Sequence, residues 1–226
     1  MNKKFILLVA IFLMSVFCEA SHAAQTAESI IDDAVSMINE ISKQGDASEM
    51  AKTLKTSYAV ALVPSMLKAG FVIGGEYGEG LILRYEKGKW YGPSFYNIGG
   101  GSFGFQIGAQ SVSLLLAVVN QKGVDAFMHS RTKLGGDIAI AAGPTGRRAE
   151  AATDARARAS IYSYSISKGL FAGVSLEGSV ISISVKRNKE FYGKKISAED
   201  ALQKTADDKR IKPLIEALNN LIKKSK

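Results

Sequence analysis

The sequence contains almost no cysteine and almost no histidine. Cys18 is the only cysteine, and His129 is the only histidine beyond residue 23. The usual zinc and copper sites need several thiolate or imidazole ligands, so neither a metal nor another cofactor is predicted. Disulfides are equally excluded, and the core has to stabilise the fold without cross-links. About 200 residues suffice for a single domain to do so.

A second long apolar run is also missing. The one such run, Phe5–Phe17, follows a basic start and precedes the small-x-small sequence Ser21–Ala23. This pattern predicts a signal peptide over residues 1–23, cleaved near Ala23/Ala24, and hence a periplasmic or secreted protein. A membrane anchor is the alternative, but the run is shorter than the roughly 20 residues that a spanning helix needs. The remaining residues, 24–226, are expected to form one soluble domain, which can still be peripheral to a membrane.

Charge is unevenly distributed along the chain. The formal net charge is +8, yet residues 24–50 carry six acidic residues and one lysine. Residues 186–226 carry 12 basic and six acidic residues. A basic end of this kind can meet anionic lipid, nucleic acid or an acidic partner, or it can simply keep the surface hydrated.

The stretch Phe95–Gln110, FYNIGGGSFGFQIGAQ, is the centre of the predicted fold. Read as a strand, it places Gly100, Ser102 and Gly104 on one face and aromatic residues on the other. A face of small residues lets another backbone approach closely, and interior glycines permit bends and bulges. We therefore expect this strand to lie where the sheet bends.

The rest of the chain reads as helices around a sheet. The predicted helices are Thr26–Ile41, a short one capped by Asp46, one from Asn120 to about Arg131, one capped by Ser197, and a last one opened by Asp207 or Asp208 with Pro213 in its first turn. The predicted strands are Tyr58–Val63 (ended by Pro64 and a helical turn at 65–68), Phe71–Gly74, Glu79–Tyr85, Ser94–Gly108, Ser111–Val119, Gly136–Ala142, Ile161–Ser167 and Leu170–Val185, the last bent near Gly178. A turn is predicted at Lys87–Gly88–Lys89, between the third and fourth of these strands. Ala149–Ala159 can be helix or extended chain; alanine favours helix, and the flanking strands favour extended chain. The predicted class is α+β, a single domain with a central, strongly bent antiparallel sheet that can approach a barrel, flanked by N- and C-terminal helices.

Short catalytic motifs occur by letter but lack their context. Ser102 lies in a G-x-S-x-G sequence, with Asp125 and His129 following, but these two lie four residues apart on one predicted helix. The residues after Ser102 are strand-like, whereas a nucleophile elbow needs a helix there. The overlapping G-x-G-x-x-G also lacks its helix. Glu76 and Glu79 offer two carboxylates, too few for calcium, which takes six or more oxygens. An enzyme is not predicted.

Five long blocks together resemble the SYLF domain. They are residues 62–80, 95–110, 143–155, 162–178 and 191–200, and the resemblance covers about residues 26–205. It implies a lipid-binding, non-enzymatic domain, with affinity for phosphoinositides or actin in eukaryotic members. The predicted signal peptide makes the chain similar to secreted bacterial members, for which actin is not an expected native partner. The N-terminal amphipathic mode of membrane contact implied by the family conflicts with the acidic residues 24–50.

The expected role is therefore binding of a membrane surface in the bacterial cell envelope. The partner is anionic phospholipid; nucleic acid is not expected, and a periplasmic protein-interaction domain without lipid dependence is the alternative. Turn-borne and C-terminal cations are the candidate contacts to lipid head groups, because such cations meet phosphate groups well. They are Arg147, Arg148, Lys168, Lys186, Arg187, Lys194 and Lys195.

Overall fold

The computed structural model describes residues 25–44, 47–143, 159–167, 170–172 and 176–225, with side chains described for all of these except 69–73, 102–109, 166–167 and 170–172. The described part contains six helices and seven strands. The helices are α1 (Ala27–Ile41), α2 (Ala47–Lys55), α3 (Gln121–Ala126), α4 (Val185–Tyr192), α5 (Ala198–Gln203) and α6 (Lys212–Ile222). The strands are β1 (Ala59–Glu86), β2 (Lys89–Val118), β3 (Arg131–Lys133), β4 (Ile140–Ala142), β5 (Ile161–Ser167), β6 (Leu170–Ala172) and β7 (Val180–Ile183).

A single antiparallel hairpin, β1–β2, forms the frame of the sheet. Its turn is Lys87–Gly88, where φ is 50° and 80°, and pairing runs from Glu86↔Lys89 to Ala59↔Val118. The predicted turn is confirmed. The predicted break after Pro64 and the helical turn at 65–68 are wrong, since β1 continues through them. A register shift between Val63 and Met66 accommodates the proline within the strand.

β1 curls so far that its two ends meet. The Tyr85 amide donates to the Tyr58 carbonyl over 2.7 Å. At Gly80, a Cβ atom would lie 2.2 Å from the Leu62 carbonyl oxygen, so only glycine allows this approach. The resulting sheet is strongly curled, like a half-barrel, and helices lie at both ends of the chain. The predicted α+β class with a bent central sheet is confirmed.

The remaining strands extend the hairpin on both sides. The sheet order is β3-β7-β2-β5-β4, with β1 along β2 and β6 on β5. All these pairings are antiparallel except the parallel pair β4–β5. Residues 96–99 of β2 pair with β7, and residues 113–118 pair with β5. The centre of β2 is therefore the point where the sheet changes partners.

Near the ends of β1 and β2, both faces of the sheet are buried in hydrophobic cores. Alternate residues enter two cores, as the two-residue period of a strand requires. The first core joins the sheet to α1, α2 and α6; its members include Ile30, Ile38, Met50, Val60, Leu62, Phe95, Leu115, Leu214 and Leu218. The second core lies on the other face and includes Ala61, Val63, Ile82, Tyr96, Leu114, Leu116, Phe127, Ile181 and Leu202.

Asn120 and Ser197, predicted to begin helices, both act as helix caps, and Thr26, predicted as the first residue of its helix, is a cap as well. Thr26 and Ser29 form a reciprocal cap on α1, Asn120 accepts from the Gly123 amide at the start of α3, and Ser197 accepts from the Asp200 amide at the start of α5. The proposed cap Asp46 and residues 149–158 of the ambiguous segment lie outside the described residues.

Four element predictions need correction. α3 ends at Ala126, because Arg131 already belongs to β3, and α6 begins at Lys212 rather than at residue 207 or 208; the strand predicted over 136–142 is confined to β4. The long final strand is wrong: β7 ends at Ile183 and residues 185–192 form α4. The bend at Gly178 is confirmed, with φ at +91°.

Candidate functional site

The predicted head-group residues fall into three groups. Arg147, Arg148 and Lys168 lie outside the described residues. Lys186 is exposed on α4, and Lys194 and Lys195 are exposed in the loop between α4 and α5. The remaining residue, Arg187, has a different environment.

Arg187 is a buried structural residue and does not fit the prediction. It is only 5% exposed. Its Nε donates to Glu79 over 2.8 Å, and a second guanidinium nitrogen donates to Glu190 over 3.1 Å. The hydrogen bonds that Arg187 donates to Glu79, together with the one to Glu190, raise the pKa of Arg187 above its usual value. The guanidinium thus joins α4 to β1, and it is not available to a head group.

Lys194 and Lys195 line a cleft with a volume of about 760 Å³. We call it cleft A. Its lining comes from three segments of the chain, 128–130, 183–185 and 194–204. The residues are Met128, Ser130, Ile183, Val185, Lys194, Lys195, Ile196, Ser197, Ala198, Glu199, Asp200, Gln203 and Lys204.

Strand pairing brings two of these three segments together. Arg131 pairs with Ser182, so the segment 128–130 and the segment 183–185 lie together at the β3–β7 edge of the sheet. This side supplies Met128, Ile183 and Val185. The loop after α4 and the helix α5 supply the lysines. Cleft A therefore has an apolar wall and a basic wall.

The basic wall is anchored to the β1–β2 hairpin. The Gly92 amide donates to the Lys204 carbonyl over 2.8 Å, and the Ala206 amide donates to the Trp90 carbonyl over 3.0 Å. α5 also buries Leu202 in the second core. The backbone of Lys204 is thus fixed by a hydrogen bond to the hairpin. This side of the cleft is therefore largely preorganised before a ligand binds.

A second cleft, cleft B, shares two of these lysines. Its volume is about 450 Å³, and Lys194 and Lys204 line both clefts. Asp207 and Asp208 also line cleft B. Hydrogen bonds from Arg210 lower the pKa of Asp208 to about 2, so this carboxylate stays ionised at any physiological pH.

Charge favours cleft A over cleft B as an anion site. Cleft B balances two lysines against two aspartates. Cleft A sets Lys194, Lys195 and Lys204 against two carboxylates. One of these carboxylates, Asp200, accepts a 2.7 Å hydrogen bond from the Ser197 hydroxyl within the α5 cap. The residues that line cleft A thus carry a formal excess of one positive charge, whereas those that line cleft B carry none.

The glycine-rich stretch acts as architecture. A Cβ atom on Gly100 would lie 3.1 Å from the Ser179 Cα, which confirms the close backbone approach predicted for its small face. Ser102 lies within β2, which continues as strand to Val118, so the helix that a nucleophile elbow requires does not follow. This backbone gives no support to a serine hydrolase.

The two carboxylates of Glu76 and Glu79 are each paired with a basic side chain. Glu76 forms a 2.9 Å salt bridge with Lys68 and accepts a hydrogen bond from Ser179. Glu79 pairs with Arg187. Among the residues that the structure describes, no three His, Cys, Asp or Glu side chains are grouped as metal ligands.

Comparison with known proteins identifies the family. Residues 99–221 match the model of the Ysc84 family, described as "Las17-binding protein actin regulator". The chain belongs to the Ysc84 family, whose shared module is the SYLF domain. The matched region includes β7, α4, α5 and the whole basic wall of cleft A, so the candidate site lies within the family module.

Relatives of this Ysc84-family chain occur in fungi and animals. It is 39% identical over 150 residues to the LAS seventeen-binding protein 3 of Saccharomyces cerevisiae, a match covering 65% of this chain and 32% of that protein. It is 39% identical over 140 residues to the human SH3 domain-containing YSC84-like protein 1, covering 61% of this chain and 41% of that protein. The chain thus spans less than half the length of these relatives. They are named for partners and domains, and not for reactions, consistent with a non-enzymatic protein.

Sequence reasoning missed Lys204 and the apolar wall. Lys204 is separated from Lys194 by α5, and the β3–β7 pairing brings the segments of Met128 and Val185 to the same edge of the sheet. No local pattern marks these contacts.

None of the helices in the described part of the chain has both the length and the apolar character needed to span a bilayer.

Proposed function

We propose that this protein is a non-enzymatic binding protein of the bacterial cell envelope that contacts anionic phospholipid head groups at a membrane surface. The observation that carries the proposal is cleft A, where Lys194, Lys195 and Lys204 converge beside partly exposed apolar side chains. Lysines near an anionic surface each contribute roughly 1 kcal/mol to membrane binding. Membership of the Ysc84 family supports a binding role without assigning the ligand.

The proposed location rests on the sequence. Residues 1–23 have the pattern of a signal peptide, and cleavage would release a domain that keeps the basic C-terminal region. Lys186 lies one residue beyond Val185, which lines cleft A, and it is exposed. It extends the basic surface on which we propose that the membrane is met. Arg147, Arg148 and Lys168 remain part of the proposal.

Co-sedimentation with vesicles tests the proposal. The protein is mixed with phosphatidylglycerol-containing vesicles and with neutral phosphatidylcholine vesicles, at low and at physiological salt. We expect binding to the anionic vesicles alone, weakened by salt because the interaction is electrostatic. Lys194→Gln with Lys204→Gln removes two charges and should weaken binding roughly 30-fold.

A matched variant separates the site from general electrostatics. Lys43→Gln with Lys122→Gln changes the net charge equally, and both lysines are exposed without lining cleft A or cleft B. It should bind nearly as the parent protein does. Equal losses in the two variants would refute the site, and no binding to anionic vesicles at low salt would refute lipid binding altogether.

A protein partner is the second candidate, favoured by two observations. The family description names binding of Las17 and regulation of actin. In addition, β1 exposes Leu67 (46%) and Tyr77 (54%), two large side chains that a protein interface would bury. Capture of a partner from envelope extracts that survives detergent, and that Leu67→Ser abolishes, would support this alternative. Capture that is lost with Lys194→Gln and Lys204→Gln would instead favour the lipid-binding surface.

A further inference from the structure

We propose that cleft A holds one glycerophospholipid molecule, with its phosphate on the basic wall and the start of its acyl chains on the apolar wall. This inference rests on the proposed function and deepens it. A flat membrane contact needs only surface charge. A cleft with two chemically different walls can instead select a single amphiphilic molecule and bind it in a fixed orientation.

The apolar wall is unusual because none of its three members is buried. Val185 is 53% exposed, and Met128 and Ile183 are each partly exposed. Ile196, beside the lysines of the basic wall, is partly exposed as well. Single exposed apolar side chains are common on protein surfaces, but a group lining one concavity marks a binding site more specifically. Covering these side chains with an acyl chain would remove apolar surface from water, which is favourable.

The basic wall supplies the complementary group. Lys194, Lys195 and Lys204 are exposed, so their ammonium groups are not consumed by internal contacts in the way that the Arg187 guanidinium is. Ammonium groups bind phosphate oxygens through charge-assisted hydrogen bonds. Glu199 and Asp200 also line the cleft, and together they reduce its formal charge to +1, which one monoanionic phosphate diester can neutralise.

The size of cleft A fits this ligand class. A volume of about 760 Å³ lies within the range of roughly 300–1,000 Å³ typical of small-molecule sites. That is enough for a head group, the glycerol and the first methylenes. It is too little for two full-length acyl chains, so their ends would remain outside the cleft, in the bilayer.

Calorimetric titration with a soluble phospholipid tests the inference. The probe is dihexanoyl-phosphatidylglycerol below its critical micelle concentration, with the deacylated head group glycerophosphoglycerol, also a monoanionic phosphate diester, as the comparator. We expect saturable binding with a stoichiometry of one, and at least tenfold weaker binding of glycerophosphoglycerol because it lacks the apolar part. Lys194→Gln with Lys204→Gln should weaken binding of both probes.

Substitution of the apolar wall distinguishes its role from that of the lysines. Val185→Ser should weaken binding of dihexanoyl-phosphatidylglycerol about fivefold and leave binding of glycerophosphoglycerol unchanged. Val185 is exposed, so the fold should tolerate the change. Leu67→Ser, at an exposed position on β1 that does not line cleft A, is the matched control and should bind both probes as the parent protein does.

The possible failures are distinguishable. If both probes bind equally tightly, or if Val185→Ser changes nothing, the apolar wall does not hold the ligand and the inference is overturned. If no soluble probe binds while anionic vesicles still do, the inference fails and the proposed function stands. If neither the soluble probe nor the vesicles bind, both proposals fail.

Discussion

Replacing Gly80 with alanine should destabilise the protein severely, because β1 curls so tightly that Gly80 packs directly against the backbone of Leu62 in the same strand. The added Cβ would lie 2.2 Å from the Leu62 carbonyl oxygen, 3.0 Å from Val63 and 3.1 Å from the Tyr96 ring. Leu62, Val63 and Tyr96 are all buried, and the nearest atom belongs to backbone that also pairs with β2. No single side chain can turn away to make room.

The magnitude follows from this geometry. Overpacking a core typically costs about 1–3 kcal/mol, and a backbone atom about 1 Å too close puts Gly80→Ala at or above the upper end. With a urea dependence of about 2 kcal/mol per M, a loss of about 3 kcal/mol moves the unfolding midpoint by roughly 1.5 M. Urea denaturation followed by circular dichroism measures this shift.

Gly75→Ala provides the control within the same strand. A Cβ atom there has only one neighbour within 4 Å, the Gly100 carbonyl oxygen at 3.8 Å, which is ordinary contact. Since alanine restricts the unfolded chain, this variant should be as stable as the parent protein or about 0.5 kcal/mol more stable. Equal unfolding midpoints for the two variants would refute the close packing of Gly80 against Leu62 within β1.

Two further predictions concern charged groups. Asp208→Asn should lower stability at pH 7 by at most about 1 kcal/mol, since the ion pair is about one-third exposed; because the Asp208 pKa is lowered from 3.8 to about 2, the difference from the parent should persist above pH 4 and disappear towards pH 2. A difference that grows on acidification, in thermal denaturation at several pH values, would contradict this. Arg187→Met should cost roughly 3 kcal/mol by leaving Glu79 without its partner, and adding Glu79→Leu should recover part of the loss. Vesicle binding by Arg187→Met should be unchanged under conditions where it stays folded; a specific loss of binding would return Arg187 to the lipid site.

Local signals predicted the elements that local interactions determine. Thr26 and Ser197 are helix caps that bond to residues three positions away, and the Lys87–Gly88 turn needs only its own backbone conformation. Such contacts are legible in a single sequence. The alternation in Ile161–Ser167 likewise predicted β5 with its correct bounds.

Contacts distant in sequence explain the failures. Pro64 reads as the end of a strand, but a register shift lets β1 continue, and the Ser113 hydroxyl donates to the Pro64 carbonyl over 2.6 Å. The strand predicted as far as Val185 runs into the first residue of α4, and no helix was predicted over residues 186–192. Asn188 of this helix makes hydrogen bonds to both the amide and the carbonyl of Phe95. That contact spans 93 residues. Tertiary contacts of this kind override local propensity.

The candidate site was half predictable for the same reason. Lys194 and Lys195 stand together in the sequence, and the local excess of charge revealed them. A local excess of charge does not show whether a given basic side chain is exposed or buried. Arg187 adjoins Lys186, but its partner Glu79 lies 108 residues earlier in the chain. A basic cluster in a sequence therefore mixes ligand-binding residues with structural ones.

The packing of α1 against α6 affects the order in which the chain can fold. Buried side chains of α1 share the first core with Leu214, Leu218 and Leu221, more than 170 positions later in the chain. α1 therefore cannot reach its final environment until α6 has been synthesised. Contacts that close such long loops form slowly, and the first core stays incomplete for most of synthesis. For a chain that must cross a membrane unfolded, as the predicted signal peptide implies, this delay would favour translocation over premature folding.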